Sequence, residues 1–452
     1  MGEKILKIIK NRLAKSELLA SLVRGAAIAL CLQISGIAVT YTMQVLLARW
    51  MGAAQYGIYE YVISIATFLG FIAGLGLPNC LLRFIPKYIV EQDWGKLRGI
   101  VWGSWRYVMI SSVLISLIAG VSLLISSKYN SDIALTSFLF GISIIPLQAL
   151  VRHQREMSRG IRGMTLAYLP STVVFPLLVI GGLFLDRKGL FSSLTMPAAS
   201  KAIAVTWLSL FLVLSAQLWL FNRQLPTQCS LASAIYSRRE WFAVAIPLLF
   251  NDSAFVLLSQ TDTIMTGAIL GSFQVGIYGA AFKTAAGVSF ILAGVNAIAA
   301  PMFATLHAQG DYKGLQKLTA TVARWMFYPT LFFALLLVVF GDRVLGLFGE
   351  EFVAARWSMT ILILGQLVNV GAGSVGYLME MTGHHKQCAY VLGCSAVLNL
   401  ILNAILIPIL GIMGAAIATA TTMALWNIWL HQLVVKYLGV KPSIISAIRS
   451  SN

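Results

Sequence analysis

Residues 46 to 59 read LLARWMGAAQYGIY, and residues 265 to 278, displaced by 219 positions, read MTGAILGSFQVGIY. Five of the last eight positions are identical: Gly52/Gly271, Gln55/Gln274, Gly57/Gly276, Ile58/Ile277 and Tyr59/Tyr278. The match continues downstream, where Asp93-Trp94-Gly95-Lys96-Leu97 aligns with Asp311-Tyr312-Lys313-Gly314-Leu315, and Arg106 and Arg324 each come nine residues later. The chain of 452 residues therefore carries one architecture twice.

Composition identifies that architecture. Hydrophobic residues make up 58% and charged residues only 11%, where a soluble domain carries about 25% charged. A bilayer-crossing helix needs roughly 20 mostly apolar residues, and such stretches recur along the whole chain. Twelve spans are predicted, over 22-48, 56-82, 101-125, 133-151, 165-185, 196-222, 241-270, 276-301, 321-340, 357-380, 388-410 and 412-436. The two copies begin at spans 1 and 7, both odd, so the halves share one orientation. The expectation is an all-α polytopic membrane protein built as two parallel-repeat six-helix bundles, related by an axis along the membrane normal. The segments expected are a basic N-terminal stretch (1-21), a first bundle (22-222), a linker (223-240), a second bundle (241-436) and a tail (437-452).

Lys and Arg set the orientation, because short cytoplasmic loops carry the excess. With the N-terminus inside, the inside segments hold 22 Lys+Arg and the outside segments 6, so both termini are expected in the cytoplasm. The remaining five, Arg24, Arg106, Lys201, Lys283 and Arg324, fall within spans. Topology and anionic headgroups account for the net charge of +17 without nucleic acid, for which no soluble module exists. Residues 3 to 13 read either as a short surface helix or as a disordered basic tail. The apolar stretch after them is too long for a signal-peptide core and is expected to be retained.

Catalytic chemistry is not indicated. No GxxxxGK[ST] phosphate loop occurs, and the five cysteines contain no CxxC. His153, His307, His384, His385 and His431 mostly occupy inside loops or span ends, with no carboxylate at a ligand spacing. Neither a Ser/His/Asp arrangement nor paired carboxylates can be assembled. The chain reads as a non-enzyme without cofactor or metal.

The string LLARWMGAAQYGIY, its copy after span 7 and the late GIMGAAIATATTMALWNIWLHQL (411 to 433) resemble the polysaccharide flippase family, within the multidrug/oligosaccharidyl-lipid/polysaccharide exporter superfamily. The resemblance covers nearly the whole chain as topology and these stretches as motifs. It implies a flippase that moves undecaprenyl-diphosphate-linked oligosaccharides across the bacterial inner membrane for O-antigen, capsule or exopolysaccharide assembly. A polysaccharide polymerase and chain-length machinery would be its partners. The lipid II flippase branch is similar but typically adds two helices, and no thirteenth or fourteenth span is found. Polymerases and ligases usually have a large outside loop, whereas the longest here is 341 to 356. Loop 83 to 99 lacks the Gly-Asp-Arg-rich signature of major facilitators. Within the superfamily, the alternative function is a cation-coupled exporter of small hydrophobic or cationic drugs. A scaffold that recruits polysaccharide enzymes is a third reading.

Ionisable residues inside the membrane are site candidates, since a charge at the bilayer centre costs about 2.5 to 3.5 kcal/mol on insertion scales. Lys283 lies about 10 Å past Gly276 at 1.5 Å per residue and is the foremost cavity cation, against a structural salt bridge. Arg24 and Lys283, on opposite halves, could flank a diphosphate. Arg49 matches the arginine of the family motif LLAR-x-x-G at the outer mouth, or else contacts headgroups. For Arg24, Arg106, Lys201 and Glu60, snorkelling or interfacial pairing stands beside a site role. Span 7 is the most polar, and Asp252, Ser259, Thr263 and Thr266 fall near one line, with Asp262 about 80° aside. Asp252 or Asp262 could carry a proton or sodium counter-flux, or the stripe serves helix packing. Asn399 and Asn403 read as packing contacts.

Overall fold

The computed structural model describes residues 2–127, 135–189 and 196–449, and for 2–27 and Ser127, Asn251, Ala293, Ala297, Ile298 and Arg449 the backbone alone. The described residues are helical throughout, without a strand. Eleven helices are long and apolar enough to cross a membrane. The first of them, Ile28–Ala73, runs 46 residues, about 69 Å if straight and more than twice the apolar thickness of a bilayer. It is broken at Gly52, whose φ of 74° and ψ of 167° are not helical. The Tyr56 hydroxyl donates to Gln44 Oε1 at 3.0 Å, although 12 residues of straight helix would separate them by about 18 Å. The chain therefore reverses at Gly52, which divides this helix in two and gives twelve apolar helical segments of spanning length among the described residues.

The later spans are Trp94–Ser127, Leu135–Gly160, Met164–Arg187, Ala198–Gln224, Arg238–Leu270, Ser272–Asn296, Tyr312–Val339, Glu350–Gly371, His385–Leu410 and Ile412–Leu438. Differences from hydropathy lie at the ends, where polar residues continue a helix beyond its apolar stretch. Span 2 is followed by a separate helix, Leu77–Val90, after a break in which Gly76 has a φ of 69°. Span 10 breaks after Gly371 and resumes as Val375–Met381.

The repeat has a conformational counterpart. Gly271, mate of Gly52, has a φ of 88° and ψ of 174°, a region that residues with a Cβ rarely enter. The mates Asp93 and Asp311 both cap the next helix, accepting from the amides of Lys96 at 3.0 Å and Gly314 at 2.8 Å. Leu97 and Leu315 are both fully buried. Arg106 and Arg324 then diverge. Arg106 is exposed, whereas Arg324 donates to the Ala447 carbonyl at 2.8 Å and ties the C-terminal helix Ile444–Arg449 to span 9.

Spans 2 and 8 cross where the repeat is strongest. A Cβ on Gly57 would stand 1.7 Å from the Ser272 carbonyl oxygen, and one on Gly276 would stand 2.1 Å from that of Ala53. Ser272 is the mate of Ala53, and Gly276 of Gly57, so the two contacts are one contact seen from either half. The local axis passes between them. Each copy presents a small-x-x-x-small pair, Ala53/Gly57 and Ser272/Gly276, the pattern that lets helix backbones approach in lipid. At the other end, the linker is clamped to the first half: Arg98 Nη1 donates to the carbonyls of Ser230 and Ala232, each at 2.7 Å, and Ile235 N donates to Gly95 O at 3.0 Å.

Gly57→Ala is expected to destabilise the detergent-solubilised protein by about 3 kcal/mol, as overpacking against backbone does. Gly120→Ala, inside a helix and with nothing within 4 Å of the added carbon, should hold or slightly raise the thermal midpoint. Thermal unfolding of both variants checks the contrast.

Candidate functional site

Three turns of span 8 bring Lys283 from the Gly271 reversal into the protein. Its ammonium pairs with Glu60 Oε2 of span 2, across the two halves. It also donates to the Tyr56 hydroxyl at 3.4 Å and lies 5.6 Å from the centre of that ring. Glu60 is buried, and its Oε1 has no hydrogen-bond partner among the described residues. Gly279, the mate of Glu60, faces it: a Cβ there would stand 3.7 Å from Glu60 Cγ, an ordinary van der Waals contact. Ser64 takes the position equivalent to Lys283, so the axis carries one carboxylate and one ammonium rather than two like charges.

The Gly52 end is closed by more than this pair. The segment after span 9 folds into two short helices, Gly341–Gly346 and Glu350–Ala355. Phe348 and Phe352 are buried beneath it, packing edge-on against Tyr41 at 5.7 Å and Tyr56 at 5.9 Å between ring centres. Glu351 Oε2 accepts from the Ala53 amide at 2.9 Å, placing a negative charge at the start of helix 53–73, where the peptide dipoles favour one. Tyr41 and Thr284 hydroxyls meet at 3.1 Å. Hydropathy gave this loop no role, because its aromatic residues, besides packing on each other, find their partners across the two halves.

A second polar centre lies wholly within the second half. Asp262 of span 7 is fully buried. One oxygen accepts from Asn403 Nδ2 at 2.8 Å, and the other from the hydroxyls of Tyr278 at 2.7 Å and Thr419. Asn399 Nδ2 donates to Thr419 Oγ1 at 3.2 Å, and Asn403 also reaches the Asn399 carbonyl at 3.0 Å. Spans 7, 8, 11 and 12 thus converge on one carboxylate, and Asn399 and Asn403 are its partners rather than general packing contacts. The mate of Asp262 is Met43, buried and apolar, so the first half lacks this centre. Asp262 stands aside from the helical line of Asp252, Ser259, Thr263 and Thr266; within that line, Thr266 Oγ1 is buried without a partner among the described residues.

Other sequence candidates scatter. Arg24 lies among residues whose side chains are outside those described. Arg49 is exposed in the last turn before Gly52. Lys201 pairs with Asp186 at 3.4 Å within the first half. Asp252 accepts from Asn79 Nδ2, again between halves. It also interacts electrostatically with Arg152 of span 4 and Glu380 of span 10. Arg152, one residue past the predicted span 133-151 and so among the 22 inside Lys+Arg, instead sits 4.4 Å over the Phe71 ring; its position past the end of an apolar stretch concealed it. His153 is buried, with Nε2 3.0 Å from Ser104 Oγ.

The family model described as "Polysaccharide biosynthesis protein" matches residues 22–307, and a second, described as MatE, matches 247–405. An uncharacterized membrane protein of Methanocaldococcus jannaschii is 22% identical over 431 residues, covering 87% of this chain and 80% of its own. A probable low-salt glycan biosynthesis flippase of Haloferax volcanii is 29% identical over 208 residues, 43% of each chain. Among solved structures, an inward-facing multidrug resistance MATE family transporter of the MOP superfamily aligns with a TM-score of 0.70 at 13% identity, over 94% of this chain and 100% of that one. At that identity the likeness is one of fold.

Asp262→Asn turns an acceptor into a donor facing donors and should cost about 1–3 kcal/mol, and Thr419→Val about the same. Because both remove the same hydrogen bond, the double variant should fall short of the sum by at least about 0.5 kcal/mol. Chemical unfolding of the three proteins measures this.

Proposed function

The chain belongs to the polysaccharide biosynthesis protein family, and from that membership we propose that it flips polyprenyl-diphosphate-linked oligosaccharide repeat units by alternating access between its two halves. In the finer form, the carrier is undecaprenyl, the membrane is the bacterial inner membrane, and the product serves surface polysaccharide such as O-antigen or exopolysaccharide. The observation that carries the reading is Lys283, an ammonium held between the halves and still partly exposed. A diphosphate leaving water needs such a cation, while the polyprenyl tail stays in lipid. Arg24 on the first half would supply a second cation, and Arg49 a contact at the outer mouth.

Orientation follows the Lys/Arg asymmetry, with both termini in the cytoplasm. Each charge moved across the membrane is worth about 2.3 kcal/mol per 100 mV, and with the inside negative, an anion moving outward runs downhill. Asp262, buried among three donors, is proposed as the point where a sodium ion or proton couples, and Asp252 as a lining residue between the halves. The drug-exporter alternative favours an acidic space between the halves. The residues that meet there mix Lys283 and Arg152 with Glu60, Asp252 and Glu380, so the space is not purely acidic and holds cations for an anionic cargo.

The test is a strain lacking the gene, with surface polysaccharide run on gels and lipid-linked repeat units located by leaflet. Polysaccharide should be lost and repeat units held on the inner leaflet, with rescue by the wild type and not by Lys283→Ala. Intact polysaccharide with altered drug sensitivity would establish the exporter instead. In vesicles, abolishing the potential while ion gradients are held should slow flipping, and an unchanged rate would exclude the electrogenic step. If sodium is the coupling ion, about a hundredfold excess over its Kd should stabilise the wild type by about 2.7 kcal/mol, and Asp262→Asn should lose that gain. Absence of sodium stabilisation leaves the proton.

A further inference from the structure

Building on the diphosphate reading, we propose that Lys283 and Glu60 form an exchangeable lock, in which an anionic diphosphate takes Glu60's place on Lys283 and thereby opens the Gly52 end. The pair joins span 2 to span 8, one from each half, so it holds the halves together at the crossing of Gly57 and Gly276. Its two members differ in access. The Lys283 side chain is 27% exposed and that of Glu60 is 7% exposed. An incoming anion can reach the ammonium, whereas an incoming cation finds the carboxylate covered.

That asymmetry couples anion binding to opening. An anion that binds Lys283 while the Gly52 end stays shut leaves Glu60 buried without a counter-charge, and losing one partner of a buried pair is strongly destabilising. Glu60 Oε1 already has no hydrogen-bond partner among the described residues, so without Lys283 the carboxylate is left with the nearby Tyr56 hydroxyl and no ion pair among the described residues. Tyr56, the adjacent hydroxyl, donates to Gln44, and Tyr59 meets Thr206 Oγ1 at 3.3 Å. The strain is relieved when the halves part at this end and water reaches Glu60. Anion binding is then tighter in the open state, and a ligand shifts a conformational equilibrium only through such a difference. The other ties at this end answer differently. Gly57 and Gly276 pack by backbone, and Glu351, exposed to water, can leave the Ala53 amide without being stranded. Among the described residues joining the halves at this end, Lys283 is the cation that cargo can neutralise.

The experiment uses the full chain in liposomes, with its five cysteines replaced and a single reporter at Ala355→Cys, a fully buried position at the end of the Glu350–Ala355 helix. An impermeant maleimide is applied from the Gly52 side, with and without farnesyl diphosphate, and binding of the diphosphate is followed separately by tryptophan fluorescence. Farnesyl diphosphate should raise labelling of the otherwise wild-type protein about tenfold, within the usual range of coupling between sites. Glu60→Gln should label at the raised rate without it and respond no further. The charge-swapped Glu60→Lys/Lys283→Glu pair should return labelling to the low rate, which separates a broken lock from a misfolded protein. If farnesyl diphosphate binds and labelling stays low, the lock is overturned and the flippase reading stands. If it does not bind at all, the diphosphate reading falls and the exchange with it. Low labelling in Glu60→Gln, with folding verified by its thermal midpoint, also overturns the lock.

Discussion

Everything at the Gly52 end depends on two backbones lying closer than side chains allow. Helices 53–73 and Ser272–Ala286 touch through Gly57 and Gly276, mates across the repeat. In lipid, apolar side chains gain nothing by exchanging a tail for a neighbouring helix, so association rests on van der Waals contact and polar bonds. Glycine at the crossing supplies the first. It also sets the register that places Gly279 opposite Glu60 and brings Lys283 within reach of it. A bulkier residue at either mate would separate the helices and the ion pair together.

The repeat is therefore a scaffold whose departures carry the chemistry. Glu60 faces a glycine, Lys283 has a serine for its mate, and Asp262 has a methionine. Had both halves carried the same ionisable residue near the axis, like charges would meet, at a cost no local hydrogen bond offsets. Divergence lets one half hold the carboxylate centre of spans 7, 8, 11 and 12, while the ion pair at the axis reports on the other half's position. A change at Asp262 can reach the lock through span 8, which carries both Tyr278 and Lys283.

The aromatic plug of Phe348 and Phe352 shows how little of this local composition reveals. Residues 341 to 356 read as the longest outside loop, and length alone excluded a domain. Their role lies in what they cover, namely Tyr41 and Tyr56 of the opposite half. Arg152 is similar. Its place just past an apolar stretch made it a loop cation, yet the helix runs on to Gly160 and carries the guanidinium over Phe71.

Hydropathy, the repeat and its glycines were enough to predict an all-α chain of long apolar helices and the break between the first two of them near Gly52, because each is set by residues near one another in the chain. The backbone must satisfy its own hydrogen bonds in lipid, and that leaves helices broken where glycine permits. Lys283 and Asp262 could be singled out the same way, as charges in an apolar setting. Their partners could not. Whether Lys283 meets Glu60, and whether Asn399, Asn403 and Thr419 turn toward Asp262, depends on the rotation and register of helices far apart in sequence. Those are fixed only when the small residues at the crossings let the backbones close.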